Sequence, residues 1–192
     1  MQDRLKEIFK ESIAVKEKFL QCCLEQTIVL AETVKEVLRK GKKILIFGNG
    51  GSAADAQHIA AEFVNRFKKE RRPLAALALT TDTSILTSIA NDYDYDLVFV
   101  KQIEALGQLG DIAWGISTSG NSSNVNLALK RAKELGLKTV ALTGGNGGKM
   151  AQLADLSIIV PSFNTPRIQE VHITIGHAVC ELVEEALFSD TD

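Results

Sequence analysis

Proline is scarce, at three in 192 residues, and no Pro-, Gly- or Ser-rich tract interrupts the chain. Nothing therefore marks a linker, and a single domain spanning 1–192 is expected. Cysteine is equally scarce. Cys22, Cys23 and Cys180 are odd in number and two are adjacent, which excludes a complete disulfide framework, fits a reducing compartment and leaves packing as their expected role. Neither sign of charge dominates: 22 Lys plus Arg against 24 Asp plus Glu leave a net charge of -2. The electrostatic argument for nucleic acid or an anionic membrane as a main partner is absent, while a small anionic metabolite remains compatible. No stretch approaches 18 consecutive apolar residues, and the opening MQDRLKEIFKE carries charges of both signs where a secretory leader needs an apolar centre. A cytoplasmic location is expected.

What is present is periodicity. Leu5, Ile8, Phe9, Ile13, Phe19, Leu20, Cys23 and Leu24 recur at helical spacing over about the first 25 residues. A second helix carries Ile28, Leu30, Ala31, Val34, Val37 and Leu38 and ends on Arg39-Lys40 before Gly41, a cationic last turn followed by a residue free to turn left-handed. Two such helices ahead of any strand form an arm, 1–41, whose apolar stripe needs a partner, so a subunit interface is expected. From 42 to 192 short apolar runs at 43–47, 74–79, 112–117, 139–143 and 156–160 predict five buried strands. Helical patterns lie between them at 52–69, 83–106 with a break near Asp92, 122–135 and 148–153, and a last helix runs over 167–187. Alternation of this kind predicts an α/β fold: a doubly wound, five-stranded parallel sheet flanked by helices, with ligands at the carboxyl ends of the strands.

Polar and glycine-rich stretches fall at those ends. Gly48-Asn49-Gly50-Gly51-Ser52 joins the first strand to a helix, where Ser52 is placed to cap and the helix terminus favours an anion. Neither the dinucleotide nor the Walker spacing is present, which argues against NAD and ATP. Ser117-Thr118-Ser119-Gly120-Asn121-Ser122-Ser123-Asn124 offers five hydroxyls where a cap needs one, and a phosphate monoester is the expected guest. Gly144–Gly148 lacks hydroxyls and reads as turn geometry. His58 and Glu62 lie four apart in a helix, which alone is an ordinary surface pair. Gln169 and His177, eight apart in the last helix, share a broad face. If the helices meet, two His, a Glu and a Gln make a four-coordinate N/O site for a divalent ion. His172 points elsewhere and is expected to pack or to support a ligand. Trp114 is expected in the core, and Asp92 caps a helix or reaches a ligand. The basic run Arg66–Arg72 is expected to be a solvated helix end.

In this order, GNGGS at 48–52, His58 and Glu62 in DAQHIAAEF, Asn91-Asp92, STSGNS at 117–122 and RIQEVHITIGH at 167–177 resemble the sugar isomerase (SIS) domain family over nearly the whole chain. Within that family the resemblance is to the bacterial phosphoheptose isomerase branch. It implies interconversion of sedoheptulose 7-phosphate and D-glycero-D-manno-heptose 7-phosphate through an enediol, in lipopolysaccharide or related heptose biosynthesis. It further implies a homotetramer with sites between subunits and one zinc ion per subunit, held by His58, Glu62, Gln169 and His177. Substrate contacts are implied for Asn49, Gly50, Gly51, Ser52, Glu62, Arg66, Asn91, Asp92, Ser117, Thr118, Ser119, Ser122 and Gln169. Glu62 takes the role of general base and His177 that of general acid. The chemistry agrees, since moving a carbonyl between C2 and C1 needs a base, an acid and stabilisation of the enediolate. Glu62 cannot hold a metal tightly and act as a free base at once, so it must switch or bind weakly.

Two features depart from that branch. Pro166 stands where many of these isomerases carry an acidic residue. The N-terminal MQDRLKEIFKESI and the segment at 65–92 also resemble a non-enzymatic branch whose tetramers bind the replication initiator DnaA. That branch lacks the Glu at 62 and the His at 177; both are present here, which favours the enzyme.

Overall fold

The computed structural model describes residues 1–188; residues 189–192 of the expected body lie outside it. The arm is two helices, α1 (Gln2–Cys22) and α2 (Leu24–Arg39), separated at Cys23 where φ −133° and ψ 10° interrupt the helix. The body alternates strand and helix: β1 (Ile44–Gly48), α3 (Gly51–Val64), β2 (Ala76–Ala78), α4 (Thr83–Asp92), a 3-10 turn (Tyr95–Leu97) and α5 (Val98–Leu106). It continues with β3 (Ile112–Ser117), α6 (Ser123–Glu134), β4 (Lys138–Gly144), α7 (Met150–Leu153), β5 (Leu156–Val160) and α8 (Thr165–Leu187). All strand pairs are parallel, in the order β2-β1-β3-β4-β5, as the alternation predicts.

The strands are continuously apolar because both faces of the sheet are covered. Ile44, Ile46, Ile112, Trp114, Ile116 and Leu142 face one core with Leu30, Val34, Ile59, Phe63, Ile175 and Val179 of α2, α3 and α8. The intervening Leu45, Phe47, Ala113 and Ala141 face a second core with Phe99, Ile103, Val125 and Leu129 of α5 and α6. Each fully buried side chain of this kind contributes about 1.5–3 kcal/mol, so the alternation fixes register strongly. β1 pairs with β3, Gly48 opposite Ile116, which sets the β1–α3 and β3–α6 loops side by side. The chain reverses direction across the sheet there, the crevice where doubly wound folds bind ligands. Among the described residues no helix is long and apolar enough to cross a membrane.

Several local expectations are corrected. The second strand is three residues rather than six, and the helix expected at 52–69 stops at Val64. Residues 66–72 are not a solvated helix end: they form an irregular loop wrapped around the buried Glu184 carboxylate, with the Arg71 side chain 1% exposed. The break near Asp92 is present, but Asp82 caps α4 and Asp94 caps the following turn. Ser52 does not cap α3, which begins from Gly50. All three cysteines are free thiols; Cys23 and Cys180 are buried, whereas Cys22 is exposed, with its sulfur 2.8 Å from that of Cys23.

Candidate active site

The hydroxyl-rich loop closes a cavity of about 200 Å³ lined by Asn49, Ser52, Ser117, Thr118, Ser119, Ser122 and Gln169. Ser117 ends β3 and Ser122 begins α6, and their Oγ atoms lie 2.9 Å apart. The first-turn N–H groups of α6 have no helical acceptors, so the hydroxyls sit where a dipole favours an anion. The third glycine-rich turn braces this loop: Met150 N–H donates to Gly120 O at 3.0 Å and Lys149 N–H to Asn121 Oδ1 at 3.2 Å. That is the geometric role its composition implied. On the other side Asn49 and Asn124 exchange reciprocal amide hydrogen bonds of 2.8 and 3.0 Å, and Tyr95 OH donates to Asn49 Oδ1 at 3.2 Å. The side chain of Asn49 thereby ties the GNGGS loop to the start of α6.

The second half of the site lies between α3 and α8. The two run side by side in one direction: Gly51 abuts Gln169, Ile59 abuts Gly176, and the loop after α3 reaches Glu184. At Gly176 a Cβ would come within 2.7 Å of Ile59 Cδ1, so glycine is what lets the helices approach here. The neighbouring residues in each sequence, His58 and His177, then meet, with Nε2 atoms 3.0 Å apart. His58 Nε2 lies 3.2 Å from Glu62 Oε1, one turn along α3. Phe67 stacks over His177 with ring centroids 5.6 Å apart. One donor atom from each of His58, Glu62 and His177 lies within 4.8 Å of the others.

This donor set fits a divalent ion. Bond lengths of 2.0–2.1 Å in a tetrahedral site imply ligand atoms about 3.3 Å apart, close to the 3.0 and 3.2 Å separations here. Two facing Nε2 atoms cannot both be lone-pair acceptors without a proton or a cation between them. The Gln169 amide, two turns before His177 on α8, lines the hydroxyl cavity and abuts Gly51. Asp55, one turn before His58, has a buried oxygen Oδ2 without a hydrogen-bond partner. Burial raises its pKa, against the opposing pull of His58.

Other expected residues stand further out. Arg66 is exposed, its Nε 3.6 Å from Glu70 Oε2. Asn91 and Asp92 end α4, exposed, with Asn91 Nδ2 donating to Asp92 Oδ1 at 2.9 Å. Gly50 and Gly51 open α3, and Pro166 lies in the first turn of α8. His172 is fully buried, bonded through Nε2 to Thr143 O at 3.1 Å, and burial lowers its pKa to about 4. It packs, as expected.

Sequence reasoning assigned no role to Asn124, Tyr95, Arg71 or Glu184. Asn124 stood inside the serine-rich stretch, where an amide at a helix start was the available signal. Arg71 and Glu184 are 113 residues apart, and nothing in the sequence pairs them.

The comparisons agree with this geometry. Residues 9–144 match the family model described as SIS domain. The phosphoheptose isomerase of Aquifex aeolicus is 58% identical over 96% of this chain and 97% of its own. Among solved structures, the phosphoheptose isomerase of Neisseria gonorrhoeae is 48% identical with a TM-score of 0.91, and that of Francisella tularensis 36% identical with a TM-score of 0.93; each comparison covers 96% of this chain and 98% of the other. The chain belongs to the SIS-domain family and, within it, to the phosphoheptose isomerases.

Proposed function

We infer that the protein interconverts sedoheptulose 7-phosphate and D-glycero-D-manno-heptose 7-phosphate. The observation that carries the reading is the placement of an anion-binding hydroxyl cavity and a His-Glu-His cluster along one helix, α8, at Gln169 and His177. Eight residues of helix put their backbones about 12 Å apart, a gap the Gln169 and His177 side chains close by reaching toward each other. The hydroxyl cavity that Gln169 lines therefore adjoins the cluster, and a sugar phosphate gripped there presents its other end to it. Ser117, Thr118, Ser119 and Ser122 donate hydrogen bonds to the phosphate, while Ser52 and Asn49 bound the adjoining space.

At the reacting end the Glu62 carboxylate takes a proton from C1 of the ketose, giving a 1,2-enediolate. Its electrons then form the C1 carbonyl as a proton is delivered to C2, and His177 moves the proton that passes between the C1 and C2 oxygens. His58, Glu62, Gln169 and His177 would hold one zinc ion per subunit, with Glu62 bound weakly or switching away to act as base, and the bound ion would supply polarisation of the carbonyl and stabilisation of the developing negative charge. Gln169 contributes from the cavity side.

A homotetramer in the cytoplasm with sites between subunits completes the reading. The exposed Leu5, Phe9, Ile13, Leu20, Leu24 and Ile28 stripe of the arm supports it, because a stripe of that length on a lone protomer is an association surface. Arg66, Asn91 and Asp92, exposed in one protomer, would then face substrate held by a neighbour. The test is turnover of sedoheptulose 7-phosphate before chelation, after it, and after zinc is restored. Activity lost and regained supports both substrate and metal; no turnover from a folded, zinc-loaded protein overturns the assignment.

A further inference from the structure

Beyond the cluster itself, α3 and α8 are joined by a second, buried contact that no catalytic role uses. Arg71 and Glu184 have side chains 1% and 2% exposed and pair through Nε and Oε1 at 3.0 Å. The Glu184 carboxylate also accepts from the backbone N–H groups of Phe67, Lys68 and Lys69 at 3.0, 2.7 and 2.8 Å. The remaining guanidinium donors turn back onto the end of α3: Nη2 donates to Glu62 O at 2.8 Å, and Nη1 to Phe63 O at 2.8 Å and Asn65 O at 3.0 Å. A cation there satisfies carbonyls that the ending helix leaves without partners.

The position of this contact is its meaning. Glu62 is the last cluster residue on α3, and its own backbone carbonyl is one that Arg71 holds. Glu184 lies seven residues, two turns, beyond His177, on the same face of α8. One guanidinium thus fixes the turn carrying Glu62 relative to the helix carrying His177. Stability alone does not demand a charged pair, since a buried ion pair is often replaceable by apolar side chains of similar volume at little cost. What apolar replacements lack is the directional grip on the Glu62 and Phe63 carbonyls.

We propose that Arg71, anchored by Glu184, is a positioning residue that sets the separation of Glu62 from His58 and His177 and so tunes metal affinity. The proposal rests on the metal reading of that cluster. The loop after α3 is in this view part of the site's support, and the interruption of the helix at Val64 is what brings Arg71 back to it.

The experiment is zinc affinity by competition with a chromophoric chelator, in wild type, in Arg71→Met with Glu184→Met, and in Arg71→Lys. The double variant removes both charges and keeps apolar volume. Arg71→Lys keeps the ion pair and loses the forked reach to the carbonyls. Loss of a supporting contact of this kind typically weakens metal binding about 10- to 100-fold; that loss is expected in both variants, with KM for the sugar phosphate unchanged because the hydroxyl cavity lies at the other end of α8. The metal-free melting temperature of each variant is measured alongside, and if the double variant does not fold, Arg71→Lys decides. Unchanged zinc affinity in a folded variant overturns the proposal. A wild-type protein that takes up no zinc overturns the metal reading first, and this one with it.

Discussion

Acid should destabilise this protein through one buried ring. His172 is fully buried, with Nε2 3.1 Å from Thr143 O and Nδ1 without any partner. A carbonyl accepts, so Nε2 carries the proton and the ring is neutral, leaving Nδ1 a bare acceptor. Protonating Nδ1 would place a charge and an unmatched N–H in an apolar interior, which is why burial lowers the pKa to about 4 even though the bond to Thr143 opposes the shift. The unfolded chain has the ordinary value near 6.5. Between those values the unfolded state binds more protons, so stability rises with pH through the window and is lost as pH falls through it. Integrated from pH 7 to pH 5 the loss is about 2 kcal/mol, and it approaches about 3 kcal/mol near pH 4. The assay is the urea midpoint of chelated protein at pH 7 and pH 5, at one protein concentration, for wild type and His172→Gln. Glutamine keeps an N–H for Thr143 O and cannot titrate. Wild type should lose about 2 kcal/mol more than the variant over the two pH values; equal losses would refute the assignment of His172 as a buried neutral ring.

Glu62→Gln keeps the size of the side chain and removes its basicity. Turnover should fall by at least about 100-fold while binding of the sugar phosphate, followed by isothermal calorimetry, stays within a few-fold of wild type. Ser119→Ala with Ser122→Ala deletes two donors to a dianion, each contributing about 1.5 kcal/mol or more, so KM should rise at least about tenfold with a smaller effect on kcat; an unchanged KM would move the phosphate elsewhere. Gly176→Ala forces a methyl against Ile59, which should lower stability by about 1–3 kcal/mol and, by separating His58 from His177, weaken zinc binding in the same sample.

How much of this was legible depended on sequence distance. Strands buried on both faces betray themselves as apolar runs, and the loops at their carboxyl ends carry their chemistry in consecutive residues, so the sheet, Ser117–Ser122 and the GNGGS turn could be read directly. His58 with Glu62 and Gln169 with His177 could be read as pairs on their own helices; that α3 meets α8 rests on Gly176 and Ile59, which no periodicity singles out. The basic run at 66–72 misled because its charges resemble a solvated surface, whereas Arg71 is buried by a carboxylate 113 residues later. Ser52 misled in a smaller way: Gly50, at φ 54°, starts α3 two residues too early for the serine to cap it, and frees the hydroxyl for the cavity.

The division of labour along α8 bears on how the enzyme uses binding energy. A grip on the phosphate that held substrate and transition state equally would lower KM and leave kcat unchanged. For it to accelerate the reaction, the grip must fix where C1 and C2 lie relative to Glu62, so the two ends must belong to one rigid body. On the proposed reading α8 would supply that body, since the cavity lined by Gln169 and the cluster containing His177 sit two turns apart on a continuous 23-residue helix. The Gly51–Gln169 and Ile59–Gly176 contacts hold α3 against it at both levels. A substrate truncated at the phosphate should therefore lose kcat as well as affinity, because the orientation it forfeits is imposed from the far end of the helix. An intact kcat on dephosphorylated sedoheptulose at saturation would show instead that the reacting end is positioned locally.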